Sequence, residues 1–88
     1  MLLTNDEDEE IYFVNVPRLE QNWNYWELHI YLKKRYDFLS FALQTDKKEV
    51  VINPARDLVV QENFGIWLIA GSRPVGIEWR KNAGGGHG

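Results

Sequence analysis

The sequence contains no cysteine, which removes disulfides, thiolate nucleophiles and cysteine-based metal sites at once. That composition suits a reducing compartment, and a cytoplasmic location is expected. Only two histidines occur, His29 and His87. A metal centre needs several converging ligands, and His29 has no acidic residue at i+4, so neither a metal nor a cofactor is expected. No apolar run approaches the ~20 residues of a membrane-spanning helix, so no membrane insertion is expected. No basic stretch followed by an apolar one opens the chain, and no leader is expected either. Lys and Arg number 10 against 13 Asp and Glu, for a net charge of −3, which argues against broad nucleic-acid binding.

Catalytic patterns are equally scarce. Ser40 lies in an apolar run and Ser72 precedes Arg73-Pro74, so neither has the surroundings of a G-x-S-x-G nucleophile. The carboxylates gather near the N-terminus or at turns rather than as a pocketed pair. Gly84-Gly85-Gly86 lacks the Lys and Ser/Thr of a phosphate-binding loop. The chain is therefore expected to bind or regulate, not to catalyse.

What is present is apolar and aromatic. Hydrophobic residues make up 44% and aromatics 14% of 88 residues, with four Trp, enough for one small core and no second domain. Residues 1–10 read as an acidic, solvated lead-in, 11–80 as a single α+β domain, and 81–88 as a Gly-rich flexible tail. Ile11 to Val16 is rich in β-branched and aromatic residues and stops at Pro17, so it predicts a strand. Asn22 or Asn24 then caps a helix running to about Tyr36. At 100° per residue Tyr25, Leu28, Leu32 and Tyr36 share one face, the expected core side.

Trp23, Trp26 and Ile30 gather on another face of that helix. Two readings stand: core covered by the N-terminal segment, or an oligomer contact, since an exposed aromatic stripe is costly unless covered. The second reading makes the chain a homodimer. Phe38–Leu43 and Glu49–Ile52, joined by the polar Thr45–Lys48, predict a β-hairpin. Leu58–Val60 is a short strand, and Glu62–Gly65 a turn in which Gly65 is free to take positive φ. Ile66–Ala70 is another strand, and Val75–Trp79 one more at an edge. The order is β-α-β-β-(β)-β, one helix against a mainly antiparallel sheet.

Lys33, Lys34 and Arg35 form the one basic cluster. They complement the negative end of the helix dipole, or they contact an anion or a nucleotide phosphate, with Arg56 as a further candidate.

From Glu27 to Ala70 the chain resembles the C-terminal domain of the regulator-of-potassium-conductance family (RCK_C, or TrkA-C). The resemblance is carried by Glu27-Leu28 opening the helix, Leu32-Lys33-Lys34-Arg35-Tyr36, and the strand Phe38–Leu43. It continues through Ile52-Asn53-Pro54, Asp57-Leu58-Val59-Val60 and the final strand Ile66–Ala70. The family's Gly-Asp before that strand is replaced by Asn63-Phe64-Gly65, and nothing from Arg73 onward has a counterpart. The resemblance implies a TrkA-C-like fold and a cytosolic sensory module of a potassium channel or transporter, which pairs with itself and binds a small regulatory ligand. Two other readings stay open: a ubiquitin-like (β-grasp) carrier, suggested by size, acidity and the Gly-rich end, and a small phage- or plasmid-type inhibitor using the acidic lead-in.

Overall fold

The structure, a computed structural model, describes residues 9–80. The acidic run before Glu9 and the Gly-rich tail with His87 lie outside the described residues. Six strands and one helix follow in the order β1 (Glu10–Asn15), β2 (Trp23–Asn24), α1 (Tyr25–Tyr36), β3 (Leu39–Gln44), β4 (Val50–Ile52), β5 (Val59–Val60) and β6 (Gly65–Ala70). The main sheet has the order β1-β6-β3-β4, and β2 pairs with β5 in a separate two-stranded ladder. Every pairing is antiparallel. The fold is thus α+β, one helix packed on an antiparallel sheet, and no helix among the described residues is long and apolar enough to cross a membrane.

The helix begins where its capping chemistry dictates. Asn24 Oδ1 accepts from the Glu27 amide at 2.8 Å and Glu27 Oε1 accepts from the Asn24 amide at 3.1 Å, a reciprocal capping box. Asp37 ends the helix in the left-handed region at φ 61, its amide bonding back to Lys33. The Phe38 amide reaches the Leu32 carbonyl at 3.2 Å, so the chain leaves the helix turned toward the sheet. Tyr25, Leu28 and Leu32 are buried as their spacing predicts, and Tyr36 is partly buried against the same core.

Register sorts the sheet into two faces. Tyr12, Leu68 and Ser40 form one row of the helix-facing side, and Val14, Ile66, Leu43 and Val51 the next. The outer side carries Ile11, Ile69 and Leu39; then Phe13, Trp67, Ala42 and Ile52; then Asn15, Gly65, Gln44 and Val50. Strict alternation would put Ser40 and Ala42 on one face. A β-bulge between them, opposite Leu68 and Trp67, separates them and leaves Phe41 as the extra residue.

Four expectations are corrected. Trp23 is not on the helix at all: it precedes it in β2, pairs with Val60 and is buried. Glu10 belongs to β1 rather than to the lead-in. The left-handed turn residue before β6 is Asn63 at φ 72, not Gly65. Gly65 opens β6 instead, with the Phe13 ring where a Cβ would stand, the packing by which an aromatic covers a glycine across a sheet. Finally, Val75–Trp79 is not a strand. Ile77 and Trp79 pack on the core, and the Glu78 backbone is taken by helix side chains: Tyr31 donates to its carbonyl, and its amide donates to the Tyr36 hydroxyl at 2.9 Å.

Candidate functional site

An open cleft of about 620 Å³ lies where the N-terminal half of α1, the start of β3 and the segment after β4 meet. The end of the β3–β4 hairpin builds one wall. The Asn53 amide donates to the Phe41 carbonyl at 2.8 Å, one rung beyond the pairing of Ala42 with Ile52. Asn53 adopts φ 54, a left-handed geometry that Asn tolerates better than most residues. Pro54 behind it is buried. The segment 53–56 then runs past the helix start, where the Arg56 and Leu58 carbonyls accept the Trp26 and Tyr25 amides at 3.1 and 2.8 Å. With the Glu27 amide held by Asn24, the first three helical N–H groups are all satisfied, so this helix end offers no free donors to an anion.

The opposite wall is a stack. The Arg56 guanidinium sits 4.5 Å from the Trp26 ring centroid, and Trp26 stacks on His29 at 5.4 Å and 23°. A cation over an indole is itself favourable, by about 0.5–1 kcal/mol at an exposed site. At the floor, His29 Nδ1 lies 2.7 Å from Ser40 Oγ. The Tyr25 hydroxyl is 3.1 Å from both that oxygen and the Ser40 carbonyl.

Proton bookkeeping orders this cluster. The Ser40 carbonyl can only accept, so Tyr25 donates to it. Giving each contact a proton of its own then requires Ser40 Oγ to donate to the Tyr25 oxygen and His29 Nδ1–H to donate to Ser40 Oγ. In that arrangement the imidazole is a donor to the serine, the reverse of a general base activating a nucleophile. Ser40 is also only 3% exposed. The cluster fastens α1 to β3 and satisfies a hydroxyl that would otherwise be buried without a partner.

The lining carries Arg56 and His29 but neither Asp nor Glu, and Arg56 has no ion pair among the described residues. The other basic candidates sit elsewhere. Lys33, Lys34 and Arg35 occupy the last turn of α1, about 12 Å along the axis from Trp26. There Lys33 pairs with Asp37 at 2.8 Å and Arg35 with Glu78 at 2.6 Å. The fold therefore does not bring the four predicted contacts together: Arg56 enters the cleft and the helical cluster does not. Of the aromatic ridge, Trp23 is core, Trp26 is 39% exposed and lines the cleft, and Ile30 is half-buried.

His29 and Ser40 escaped the sequence reading as a pair because eleven residues separate them. A usable signal was present: a hydroxyl at an inward position of an apolar strand needs a partner, and Tyr25 and His29 share one helix face at i, i+4. Among the described residues no three His, Asp or Glu side chains converge as a metal site would require. A scan of known family models finds none that matches this chain, and a search of curated proteins finds no similar sequence.

Proposed function

We propose that this chain is a small-ligand-sensing regulatory domain of the kind the potassium-conductance resemblance implies, acting in a channel or transporter for potassium. Its site binds rather than catalyses. The ligand is a small anion bearing a planar group, such as a nucleotide. The single observation that carries this is the cleft wall itself, a guanidinium laid on an indole that in turn stacks on an imidazole, with no carboxylate in the lining. An oxyanion finds a charged donor there, and a flat group finds an aromatic surface.

The strand order, with β3 and β4 as a hairpin and β6 closing the sheet between β1 and β3, supports a TrkA-C-like topology. Function then follows from linkage. A ligand spanning Arg56 and the helix start ties the segment 53–56 to α1, and it biases a gate only by its differential affinity for two arrangements of the domain.

Thermal unfolding in the presence of adenine nucleotides, cyclic dinucleotides and inorganic phosphate tests the reading. At least one of these is expected to raise Tm in proportion to the logarithm of its free concentration. A panel that stabilises nothing at millimolar concentration overturns it.

A further inference from the structure

A neutral imidazole carries one proton on two nitrogens, so the partner of one nitrogen decides what the other can do. His29 Nδ1 lies 2.7 Å from Ser40 Oγ. That hydroxyl is buried and lies 3.1 Å from the Tyr25 oxygen. The Tyr25 proton goes to the Ser40 carbonyl, so the serine proton goes to the Tyr25 oxygen, and the contact with His29 takes its proton from the imidazole. The ring proton therefore sits on Nδ1, and Nε2 keeps its lone pair.

Either direction of the His29–Ser40 bond would tie α1 to β3, but only this one leaves Nε2 an acceptor. Among the described residues Nε2 has no hydrogen-bond partner, and it is not sealed from solvent. The lining holds no carboxylate, so the ring nitrogen does not compete with a charged acceptor for a ligand's N–H. Arg56 belongs to the same wall. Its guanidinium is 4.5 Å from the Trp26 ring centroid, and Trp26 is 5.4 Å from His29, which places cation and acceptor no more than about 10 Å apart.

We propose that Ser40 and Tyr25 set the specificity of the cleft by fixing His29 as an acceptor, so that the ligand carries an N–H donor for Nε2 as well as an oxyanion for Arg56. The inference rests on the ligand-sensing reading of the cleft and narrows it. A phosphorylated compound whose ring bears an amino group supplies both contacts. One whose ring shows only lone pairs meets Nε2 lone pair to lone pair. The imidazole cannot adapt by moving its proton, because that would break the bonds of the buried floor. Ser40 and Tyr25 are positioning residues, acting on the ligand through His29.

Two measurements on the full chain test this. Nitrogen NMR of the imidazole at mildly alkaline pH reads the tautomer with no ligand present, and the wild type is expected to show a protonated Nδ1 and a bare Nε2. In Tyr25→Phe the serine proton loses its acceptor and turns to Nδ1, so the ring proton should move to Nε2. Ser40→Ala should release the ring from the Nδ1-protonated form, and it serves if the first variant fails to fold. Calorimetric titration with adenosine monophosphate and with its analogue lacking the amino group then reads specificity. The wild type should favour the amino compound about two- to tenfold, the effect of one neutral hydrogen bond. Both variants should lose that preference while binding inorganic phosphate as the wild type does. A wild-type ring protonated at Nε2 overturns the inference whatever binds. So does equal affinity for the two purines, or no binding of either when another anion binds. The reading of the cleft fails separately, when no anion binds although the ring shows its Nδ1 proton.

Discussion

At the C-terminal end of α1 the fold supplies partners for basic side chains: Asp37 for Lys33, and Glu78, brought in by the segment after β6, for Arg35. At the N-terminal end it brings Arg56 onto Trp26 and provides no carboxylate in the lining. The two regions begin from the same residue chemistry and differ only in what the chain folds beside it. Where the last turn of the helix uses cations to hold a strap of backbone in place, the first turn leaves one facing an aromatic-walled opening. A basic cluster in sequence therefore does not by itself mark an anion site: here two of its three members are held by neighbouring carboxylates.

The contrast can be broken or sharpened by substitution. The largest effect is expected at Trp23, which seats the helix start in the core. Trp23→Ala should destabilise the chain by about 3–5 kcal/mol in urea unfolding, at any protein concentration. A tryptophan serving only an oligomer contact would instead change the concentration dependence and leave the monomer as stable as before. Tyr25→Phe comes next. It removes the hydroxyl that serves both the Ser40 carbonyl and Oγ, and leaving buried groups unpaired should cost about 1–3 kcal/mol.

Effects at the strap should be smaller. Glu78→Gln removes an exposed ion pair, and such pairs contribute under about 1 kcal/mol. The same end of the helix should announce itself through pH. Burial, reinforced by the neighbouring Tyr36, raises the Tyr31 hydroxyl above its ordinary value. A group raised in the folded state contributes in full below its unfolded pKa of about 10 and loses that contribution as pH rises through the folded value. Stability measured by denaturant should therefore decline above about pH 10, and Tyr31→Phe should flatten part of that decline. Equal slopes for the two proteins would show that the hydroxyl is not held as described.

Much of this architecture was legible in the residues. The capping asparagine, the stripe of Tyr25, Leu28 and Leu32, the β3–β4 hairpin and the closing strand all follow from local chemistry and periodicity, because each is decided within a few positions. What stayed hidden depends on distant partners. Trp23 reads as part of a helical ridge, since nothing near it announces a two-residue ladder with Val59–Val60. Gly65 carries the signature of a turn, yet its need for a bare Cα comes from Phe13, 52 positions earlier. Val75–Trp79 has strand composition, but the hydroxyls of Tyr31 and Tyr36 and the packing of Ile77 and Trp79 hold it against the helix instead. The cleft is half visible in the residues: Arg56 stands out as a candidate contact, but its stack on Trp26 depends on where the segment 53–56 runs, which the bonds from the Tyr25 and Trp26 amides to Leu58 and Arg56 fix.

On the proposed function, Arg56 and not the helical cluster is the cation that meets a ligand. The most direct measurement is calorimetric titration of whichever anion stabilises the wild type into Arg56→Gln and Arg35→Gln. Losing a charge-assisted contact of about 1.5–3 kcal/mol should weaken binding to Arg56→Gln about ten- to a hundredfold. Arg35→Gln should bind within about twofold of the wild type, as a surface change remote from the site does. Unchanged affinity in Arg56→Gln, with the loss appearing in Arg35→Gln, would contradict the account.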